Sequence, residues 1–518
     1  MSDETCYVTT PIYYVNAEPH LGHAYTTIVG DAITRWNRLS GRATKYLTGT
    51  DEHGLKIQQT AEAAGTTPQE FVDSVAPKFA DAWKHLGIAN DDFIRTTEPR
   101  HKDAVRELLL RCYDAGDIEL DTFAGKYCVA CEEYYGDDEL VDENGVYGAG
   151  DLCPIHGTPA LYYEEENYFF RLSRFEDRLL DWYAKHPTAM TPEHRGNEAL
   201  GLIRGGLRDF SISRTSLDWG IPLPWDPDHV TYVWFDALTN YLAAIGFGSD
   251  DGNGSDGRPW TDWWPGTHLI GKDIVRQHCV YWPAMLMSAG IDPPARWAIG
   301  GWLLVGGEKM SKSSGNAINP LELIDDVGLD GFRYYVLAET PYGSDGDFTY
   351  EGLVARYNSD LANNLGNLAA RVATVVGKKC GGLGPAPASD SPLSEAAAKA
   401  VTDATAAWAD FQPSRALDAT WQLIRATNAY LETNEPWRAE PGEAVDRVMG
   451  DALEALRIVS ILVSPAIPTT AQAIWERIGM VGDVLDQRVP DAVTWGGYAG
   501  GADVVKGDPL FPRIKVDA

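Results

Sequence analysis

Two short segments of the sequence have residue types that suit phosphate chemistry. The first, residues 19–23 (PHLGH), follows a β-rich run and opens a helical pattern. Two histidines three positions apart, His20 and His23, share one face of a helix, and a helix start offers N–H groups and a positive dipole end to an anion. Gly22 has no side chain to block a nucleotide. Taken alone, such a pair is more often two helix-start histidines without a catalytic role.

The second segment, residues 306–315 (GGEKMSKSSG), places two lysines in a short loop flanked by glycines. The ammonium groups of Lys309 and Lys312 could follow the negative charge that develops on a departing pyrophosphate. Taken alone, a solvated loop with ordinary lysines is an equally good interpretation.

A third group has the spacing of a metal site. Cys128-x2-Cys131 is followed after 21 residues by Cys153-x2-His156. Four nitrogen and sulfur donors in two close pairs are typical of tetrahedral Zn²⁺. Because four protein ligands leave no open position, the spacing predicts a structural zinc; four reduced, unliganded side chains are the alternative.

The elements around the first segment predict how it is positioned. Residues 6–10 are β-rich, residues 20–39 have a helical pattern, and residues 44–48 form a second β-run that leads to Asp51. Strand, helix and strand at this spacing predict a βαβ unit with parallel strands. The expected fold class is α/β, with a doubly wound parallel sheet of the Rossmann type.

The rest of the chain divides by composition. Residues 1–116 and 227–300 are predicted to form two halves of one catalytic domain, with further β-runs at 230–235, 268–271 and 297–305. Residues 117–226, which hold the clustered cysteines, are predicted to be an insertion. Residues 301–360 carry the lysine loop, and residues 361–518 are predicted to be a helical bundle, with a loop at 381–392. Leu361, Leu365, Leu368 and Val372 have the helical spacing of that bundle.

Charge and cysteine content constrain partners and location. The chain has 518 residues, 43 Lys and Arg against 75 Asp and Glu, and a formal net charge of −32. This acidity disfavours a polyanionic partner unless the partner meets a local basic patch. Seven cysteines do not form a disulfide frame, no apolar run is long enough to cross a bilayer, and the chain starts with acidic residues. A cytoplasmic protein without a membrane association is expected.

Together, the first two segments resemble the HIGH and KMSKS signatures of the class I aminoacyl-tRNA synthetases, in the order and separation of that family. Residues 10–16, 50–54, 232–237 and 271–274 are similar to segments of its methionyl branch. The resemblance implies ATP-dependent activation of L-methionine to methionyl-adenylate. Transfer to the 3′ end of initiator and elongator tRNA(Met) would follow, and Mg²⁺ would accompany the ATP.

The resemblance also implies site residues. His20, His23, Lys309 and Lys312 would be catalytic, and ATP would contact these four together with Gly22, Gly271, Asp273, Met310, Ser311 and Ser313. The methionine site would consist of Ile12, Tyr14, Asp51, Trp234, Ala237, Leu238, Tyr241, His278 and Trp282. Such a site suits methionine because a thioether packs well against aromatic rings and a carboxylate can hold the ammonium. Anticodon binding would fall to Asn367, Arg371, Pro436 and Trp437, which offer hydrogen bonds and a stacking face.

Two alternatives stay open at this point. One is a class I synthetase for another apolar amino acid, but the isoleucine, leucine and valine enzymes carry a much larger editing insertion than the roughly one hundred residues available here. The other is a tRNA-binding relative that has lost the reaction, although such relatives usually lose one signature. No segment looks like an appended tRNA-binding β-barrel, and a monomer is therefore expected.

Overall fold

The computed structural model describes residues 5–16, 18–128, 133–215, 217–310 and 318–515, with the backbone alone at 123, 124, 133, 134, 163–165 and 309. The strands are β1 Thr5–Thr9, β2 Tyr13–Tyr14, β3 Ala43–Asp51, β4 Asp92–Arg95, β5 Ile118–Cys128, β6 Glu133–Tyr135, β7 Leu161–Phe170, β8 Met190–Thr191, β9 Phe210–Ser211, β10 Ser213–Arg214, β11 Pro222–Leu223, β12 Asp226–Thr231, β13 Thr267–Gly271, β14 Arg296–Gly300, β15 Leu303–Val305, β16 Glu308–Lys309 and β17 Gly346–Phe348. The α-helices are α1 Leu21–Leu39, α2 Leu55–Ala64, α3 Pro68–His85, α4 Pro99–Asp114, α5 Glu176–Lys185, α6 Glu193–Arg204, α7 Val233–Leu238, α8 Asn240–Ala243, α9 Trp260–Trp263, α10 Trp282–Ser288, α11 Pro320–Val327, α12 Leu329–Ala338, α13 Tyr350–Arg356, α14 Asn367–Lys379, α15 Pro392–Ala409, α16 Pro413–Asn434, α17 Glu443–Val463 and α18 Pro468–Arg477.

A parallel sheet forms the centre of the first half of the chain. Its order is β2-β3-β1-β13-β14-β8, with β4 also paired to β3, and every one of these pairings is parallel. The predicted βαβ unit and the α/β fold class are thereby confirmed. Because β1 lies between β3 and β13, the strand order reverses at β1, and ligands of such sheets bind outside the carboxyl ends of the strands at this point.

The predicted β-run at 297–305 is two strands in different sheets. Strand β14 ends at Gly300, and the chain then leaves the main sheet so that β15 pairs with β16 and with β17. A Cβ on Gly301 would lie 2.1 Å from the Ser344 carbonyl oxygen, so the close approach of the two backbones requires glycine there. An apolar run alone does not show such a change of sheet.

The predicted β-run at 230–235 is the end of a strand followed by the start of a helix. Strand β12 belongs to a small antiparallel sheet, in the order β10-β12-β11, and not to the parallel sheet. From Val233 the chain continues as helix α7. A short buried run has no periodicity that separates strand from helix.

The stretch predicted as an insertion contains a long β-ribbon. Strands β5 and β7 pair antiparallel from Ile118↔Phe170 to Tyr127↔Leu161, and β6 and β9 extend this sheet at its two sides. Strand β8, which lies within the same stretch of sequence, pairs with β14 at the edge of the main sheet. The chain has therefore returned to the parallel sheet by residue 190.

The last third of the chain is helical, as predicted. Leu361, Leu365, Leu368 and Val372 are all buried, and the predicted loop at 381–392 connects α14 with α15. None of the helices in the described ranges combines the length and the apolar character needed to cross a lipid bilayer.

A buried ion pair joins helix α1 to the helical part. The Arg333 guanidinium, fully buried, donates to Asp31 Oδ2 at 2.6 Å and to the carbonyl oxygens of Leu86, Pro465 and Ala466. Burial by itself would raise the pKa of Asp31, but Arg333 and Arg35 hold it below its ordinary value. The Arg333 side chain thus connects helix α1, which begins at the histidine pair, to the segments that follow α3 and α17.

We predict that Arg333→Leu lowers the free energy of unfolding by about 3 kcal/mol, because Asp31 would keep a buried charge without its main partner. Urea denaturation followed by tryptophan fluorescence measures the change. The matched control is Arg425→Leu, which removes an exposed partner of Asp418 and should change stability by less than about 1 kcal/mol. Equal effects of the two substitutions would contradict the role given to the buried pair.

Candidate active site

A cavity of about 420 Å³ lies at the carboxyl edge of the parallel sheet, within the usual size range of small-molecule sites. The ends of β1, β3 and β13 open into it, and the start of α1 and helix α7 close its sides. Its lining includes Ile12, Tyr14, His20, Gly22, His23, Asp51, Trp234, Ala237, Leu238, Tyr241, Gly271, Asp273, His278 and Met310. A larger cavity, about 900 Å³, lies between β5 and α6 and contains none of the predicted site residues that the structure describes.

The two histidines at the start of α1 cap the helix. His20 is the N-cap residue, and its Nδ1 accepts a hydrogen bond from the Gly22 N–H at 3.1 Å. His23 Nδ1 accepts in turn from the His20 N–H at 3.3 Å, and the two rings stack 3.7 Å apart. This reciprocal arrangement is a capping box, which satisfies two N–H groups that a helix start leaves without partners. The sequence predicted the location of the pair but not this structural role.

The cap also determines which ring nitrogens face a ligand. A neutral imidazole that accepts at Nδ1 carries its proton at Nε2, where it can donate to an anionic oxygen. Burial, and then the proximity of His20, keep the pKa of His23 well below its ordinary value. His23 is therefore a neutral hydrogen-bond donor near pH 7.

Gly22 and Met310 bring the lysine segment to the same side of the cavity. A Cβ on Gly22 would lie 3.0 Å from His20 Cε1 and 3.7 Å from Met310 Cε, so a side chain there would press on the His20 ring. Met310 is buried and follows Lys309, which is described by its backbone alone as the last residue of β16. Ser311, Lys312 and Ser313 lie outside the described residues.

The residues predicted to hold methionine line the opposite part of the cavity, with one exception. Ile12, Tyr14, Asp51, Trp234, Ala237, Leu238, Tyr241 and His278 are all lining residues, whereas Trp282 is not. Trp282 is fully buried in the layer behind, where its indole Nε1 donates to His268 Nε2 at 3.3 Å and its ring lies 6.2 Å from that of Tyr241. Trp282 thus supports the wall without lining the cavity in this structure, and its predicted contact with methionine stays a prediction.

Tyr241 and His278 form an uncharged part of this wall. His278 Nδ1 donates to the Ile274 carbonyl at 3.0 Å, and the Tyr241 hydroxyl donates to His278 Nε2 at 2.8 Å. Burial lowers the pKa of His278 to about 4, and burial raises that of Tyr241. Both side chains are consequently neutral at pH 7, and each uses its polar atoms on the other side chain or on the backbone.

Asp51 is the last residue of β3, and its carboxylate lies at the cavity with only 5% of the residue exposed. Neighbouring carboxylates face other groups: Glu52 accepts two hydrogen bonds from Arg95. Asp236 is fully buried and bonded to His53 Nδ1 and His101 Nε2. Asp51 and Asp273 are the acidic residues among the described residues that line the cavity, so a cationic ligand group would meet one of these two.

Several lining residues were not predicted. Tyr13 adjoins two predicted residues, lies 4.8 Å from the His23 ring and hydrogen-bonds to Thr27, and its position between Ile12 and Tyr14 was the signal that could have found it. Ile155 and His156 come from the predicted metal motif, which gave no sign that it borders the cavity. Further lining residues come from segments without a motif; they include Tyr25, Thr26, Lys56, Asn240, Gln277, Trp302 and Leu303. Ile155 and His156 show that the cysteine-bearing loop borders the cavity.

Three of the four predicted metal ligands come together. The donor atoms of Cys128, Cys153 and His156 lie within 4.8 Å of one another, and both cysteines are buried. Cys153 Sγ is 3.9 Å from His156 Nδ1, and a small core that includes Tyr135 and Leu140 packs around the cysteines. Two thiols and an imidazole suit Zn²⁺. Cys131, the fourth predicted ligand, lies outside the described residues.

The residues predicted to bind the anticodon come from α14 and from the segment after α16, which meet in the helical part. Asn367 is exposed at the start of α14, and the Arg371 guanidinium lies 4.7 Å from the centroid of the Trp437 ring while pairing with Glu432 at 2.7 Å. Pro436 is buried beside them. The arrangement offers a planar cation and an aromatic face next to an exposed amide.

Comparison with known proteins agrees with this geometry. The family model for class I tRNA synthetases (M) matches residues 6–147 and 149–373. The methionine–tRNA ligase of Streptomyces coelicolor is 46% identical over 98% of this chain and 96% of its own length. That of Bacillus subtilis is 43% identical over 99% of this chain and 79% of its own length. Mycobacterium tuberculosis methionyl-tRNA synthetase in complex with methionyl-adenylate superposes with a TM-score of 0.91 at 40% identity, covering 98% of this chain and 100% of that one. The parallel sheet has a histidine-capped helix at its carboxyl edge, and the similarity to these proteins extends along nearly the whole chain. The chain therefore belongs to the methionine-specific class I tRNA synthetases, the methionine–tRNA ligases.

Proposed function

We propose that the cavity at the carboxyl edge of the sheet activates L-methionine with ATP and transfers it to tRNA(Met). The observation that carries this proposal is that one cavity unites the histidine-capped start of α1, the Asp51 carboxylate and the neutral Tyr241–His278 wall. These three features match the phosphates, the ammonium and the thioether of the reactants.

In the first step, a methionine carboxylate oxygen forms a bond to the α-phosphorus of ATP, and the bond from that phosphorus to the bridging oxygen of the β-phosphate breaks. Methionyl-adenylate and pyrophosphate result. The carboxylate is already ionised, so the step needs no general base and depends on positioning and charge stabilisation. Mg²⁺ bound with ATP would neutralise part of the phosphate charge.

Phosphate contacts follow from the capping geometry. With Nδ1 of each ring accepting within the cap, Nε2–H of His20 and His23 can donate to phosphate oxygens while the α1 dipole favours the anion. Lys309 and Lys312 would take the charge of the leaving pyrophosphate, with Met310, Ser311 and Ser313 belonging to the same loop. Gly271 and Asp273, at the end of β13, would contact the ribose.

Methionine would lie with its ammonium at Asp51 and its thioether against Tyr241 and His278. A neutral wall suits a thioether because a charged group without a partner would be costly in this buried space. Ile12, Tyr14, Trp234, Ala237 and Leu238 supply the remaining apolar surface.

In the second step, the terminal adenosine of tRNA would attack the adenylate through its 2′-hydroxyl, with AMP as the leaving group. Asn367, Arg371, Pro436 and Trp437 would read the anticodon through hydrogen bonds and stacking. The net charge of −32 makes such local cationic and aromatic patches necessary for a polyanionic partner. Both initiator and elongator tRNA(Met) would be substrates of a monomeric, cytoplasmic enzyme.

The metal cluster would hold a structural Zn²⁺. Cys128, Cys131, Cys153 and His156 would be its ligands, and the ion would cross-link the two ends of the loop that places Ile155 and His156 at the cavity.

We predict that the chain exchanges pyrophosphate into ATP when L-methionine is present and not with leucine, isoleucine or valine. Asp51→Asn should lower kcat/KM for methionine in this assay by about a hundredfold, because the substrate ammonium would lose a buried ionic partner. Asp403→Asn is the control, since Asp403 pairs with Lys399 on the exposed surface of α15. Exchange driven equally well by another apolar amino acid would refute the proposed substrate.

We predict about one Zn²⁺ per purified chain, measured by plasma mass spectrometry. Cys153→Ser should lose most of the metal because a hydroxyl is a poor zinc ligand. Cys380→Ser, which changes a cysteine outside the cluster, should retain it. Equal zinc contents of these two variants would contradict the assigned ligands.

We predict that His278 weakens the fold in acid. The pKa of His278 is about 4 in the folded chain against an ordinary value of 6.5. Between pH 6.5 and pH 4, this histidine is therefore protonated in the unfolded chain and neutral in the folded chain. As the pH falls from 6.5 to 4, this site should remove up to about 3 kcal/mol of stability.

His278→Gln, which does not titrate and keeps a donor and an acceptor, should lose correspondingly less stability over the same pH interval in urea titrations. The control is His186→Gln, which replaces an exposed histidine and should follow the unsubstituted chain. A His278→Gln variant as sensitive to acid as the unsubstituted chain would show that His278 is not buried in its neutral form.

A further inference from the structure

Lys272 lies between two residues of the cavity lining but makes its own contacts elsewhere. Gly271 and Asp273 line the cavity, and Lys272 is not among the described lining residues. Its ammonium lies 2.6 Å from Asp345 Oδ2 and 3.9 Å from the centroid of the Trp302 ring. The side chain is only 17% exposed, so both contacts form in a partly dehydrated environment, where they are stronger than at an open surface.

The Asp345 side chain also binds the backbone of Trp302. Its second oxygen, Oδ1, accepts a hydrogen bond from the Trp302 N–H at 3.0 Å, and Trp302 O accepts from the Gly346 N–H at 2.9 Å. The Arg195 guanidinium lies 3.7 Å from Asp345 and donates to the Gly343 carbonyl. We refer to Lys272, Trp302 and Asp345 as the clasp.

The clasp joins two parts of the site that belong to different sheets. On one side is the end of β13, where Gly271 and Asp273 face the cavity. On the other side are residues 301–303, which line the cavity and lead into the β15–β16 hairpin that ends at Lys309. The close approach at Gly301 brings residues 301–303 against the backbone of Ser344 and Asp345, and Lys272 links this unit to the end of β13.

We propose that Lys272 is a positioning residue for the nucleotide half of the site: through the Trp302 indole and the Asp345 carboxylate, it holds the base of the lysine-bearing hairpin against residues 271–273. This inference rests on the proposed use of ATP in this cavity. The methionine wall of Tyr241, His278 and Asp51 contains no member of the clasp, so loss of the clasp should affect ATP and leave methionine binding intact.

The experiment measures methionine-dependent ATP–pyrophosphate exchange with each substrate varied in turn. Lys272→Met keeps an unbranched, flexible side chain of similar length and removes the charge. It should raise KM for ATP about tenfold with KM for methionine within about twofold. Lys272→Arg keeps a cation able to stack and to pair with a carboxylate, and it should recover most of the loss. Lys399→Met, which breaks an exposed pair with Asp403, is the matched control.

A double-mutant cycle tests whether the clasp acts as a unit. Asp345→Asn retains an oxygen for the Trp302 N–H and removes the partner charge of Lys272. If the two residues act together, the double variant with Lys272→Met should be no worse than the more affected single variant, whereas independent effects would multiply to about a hundredfold.

Three outcomes would overturn the proposal: multiplicative effects, equal increases in both KM values, or a lowered thermal midpoint in Lys272→Met that Lys272→Arg does not restore. An unsubstituted chain without exchange activity would instead refute the proposed function. The two failures are therefore distinguishable.

Discussion

The start of helix α1 is the constraint on which the site depends. A helix start leaves backbone N–H groups without partners, and here the side chains of His20 and His23 satisfy two of them. The same bonds orient both rings. The other N–H groups of the first turn are paired too, that of Leu21 with the Ile318 carbonyl and that of His23 with the His20 carbonyl, so an anion would meet the helix dipole and the ring Nε2 atoms. Changing either histidine would thus alter the helix start and the anion site together, and the capping role explains how two imidazoles remain stacked 3.7 Å apart in a buried place.

Two carboxylates near the cavity, those of Glu52 and Asp236, are bonded to specific partners. Glu52 is held by Arg95, and Asp236 lies between His53 and His101. The pKa of Asp236 is lowered to about 2 because the two histidines outweigh the effect of burial, which alone would raise it. Close to Asp51, then, carboxylates that could compete for a substrate ammonium are already engaged. Asp51 and Asp273 are the acidic residues that line the cavity among the described residues, so the charge that a ligand meets there comes from these two side chains.

Parts that are distant in sequence meet at this cavity through a few directional contacts. Arg333 connects α1 to the helical part through Asp31, and the clasp connects the end of β13 to the hairpin that carries Lys309. The cysteine-bearing loop reaches the cavity with Ile155 and His156. Small shifts of the helical part or of the inserted ribbon would therefore act on the site through identifiable side chains.

Much of this organisation follows from local sequence. The βαβ unit, the helical last third and the positions of the two signature segments were predictable because periodicity, glycines and helix-start residues act over a few neighbouring positions. The run at 297–305 was not resolved into two strands, since the change of sheet at Gly301 depends on Ser344, more than forty positions away.

About half of the residues that line the cavity were named in advance, through the resemblance of short segments to a known family. Trp282, however, belongs to the layer behind the wall, because its indole is bonded to His268. The sequence by itself determined which chemical groups are available and which local elements carry them. The tertiary structure alone decided which groups share the cavity, which carboxylates are already paired and that Lys272 turns toward Trp302, because these outcomes depend on contacts between residues that only the packed sheet and helices bring together.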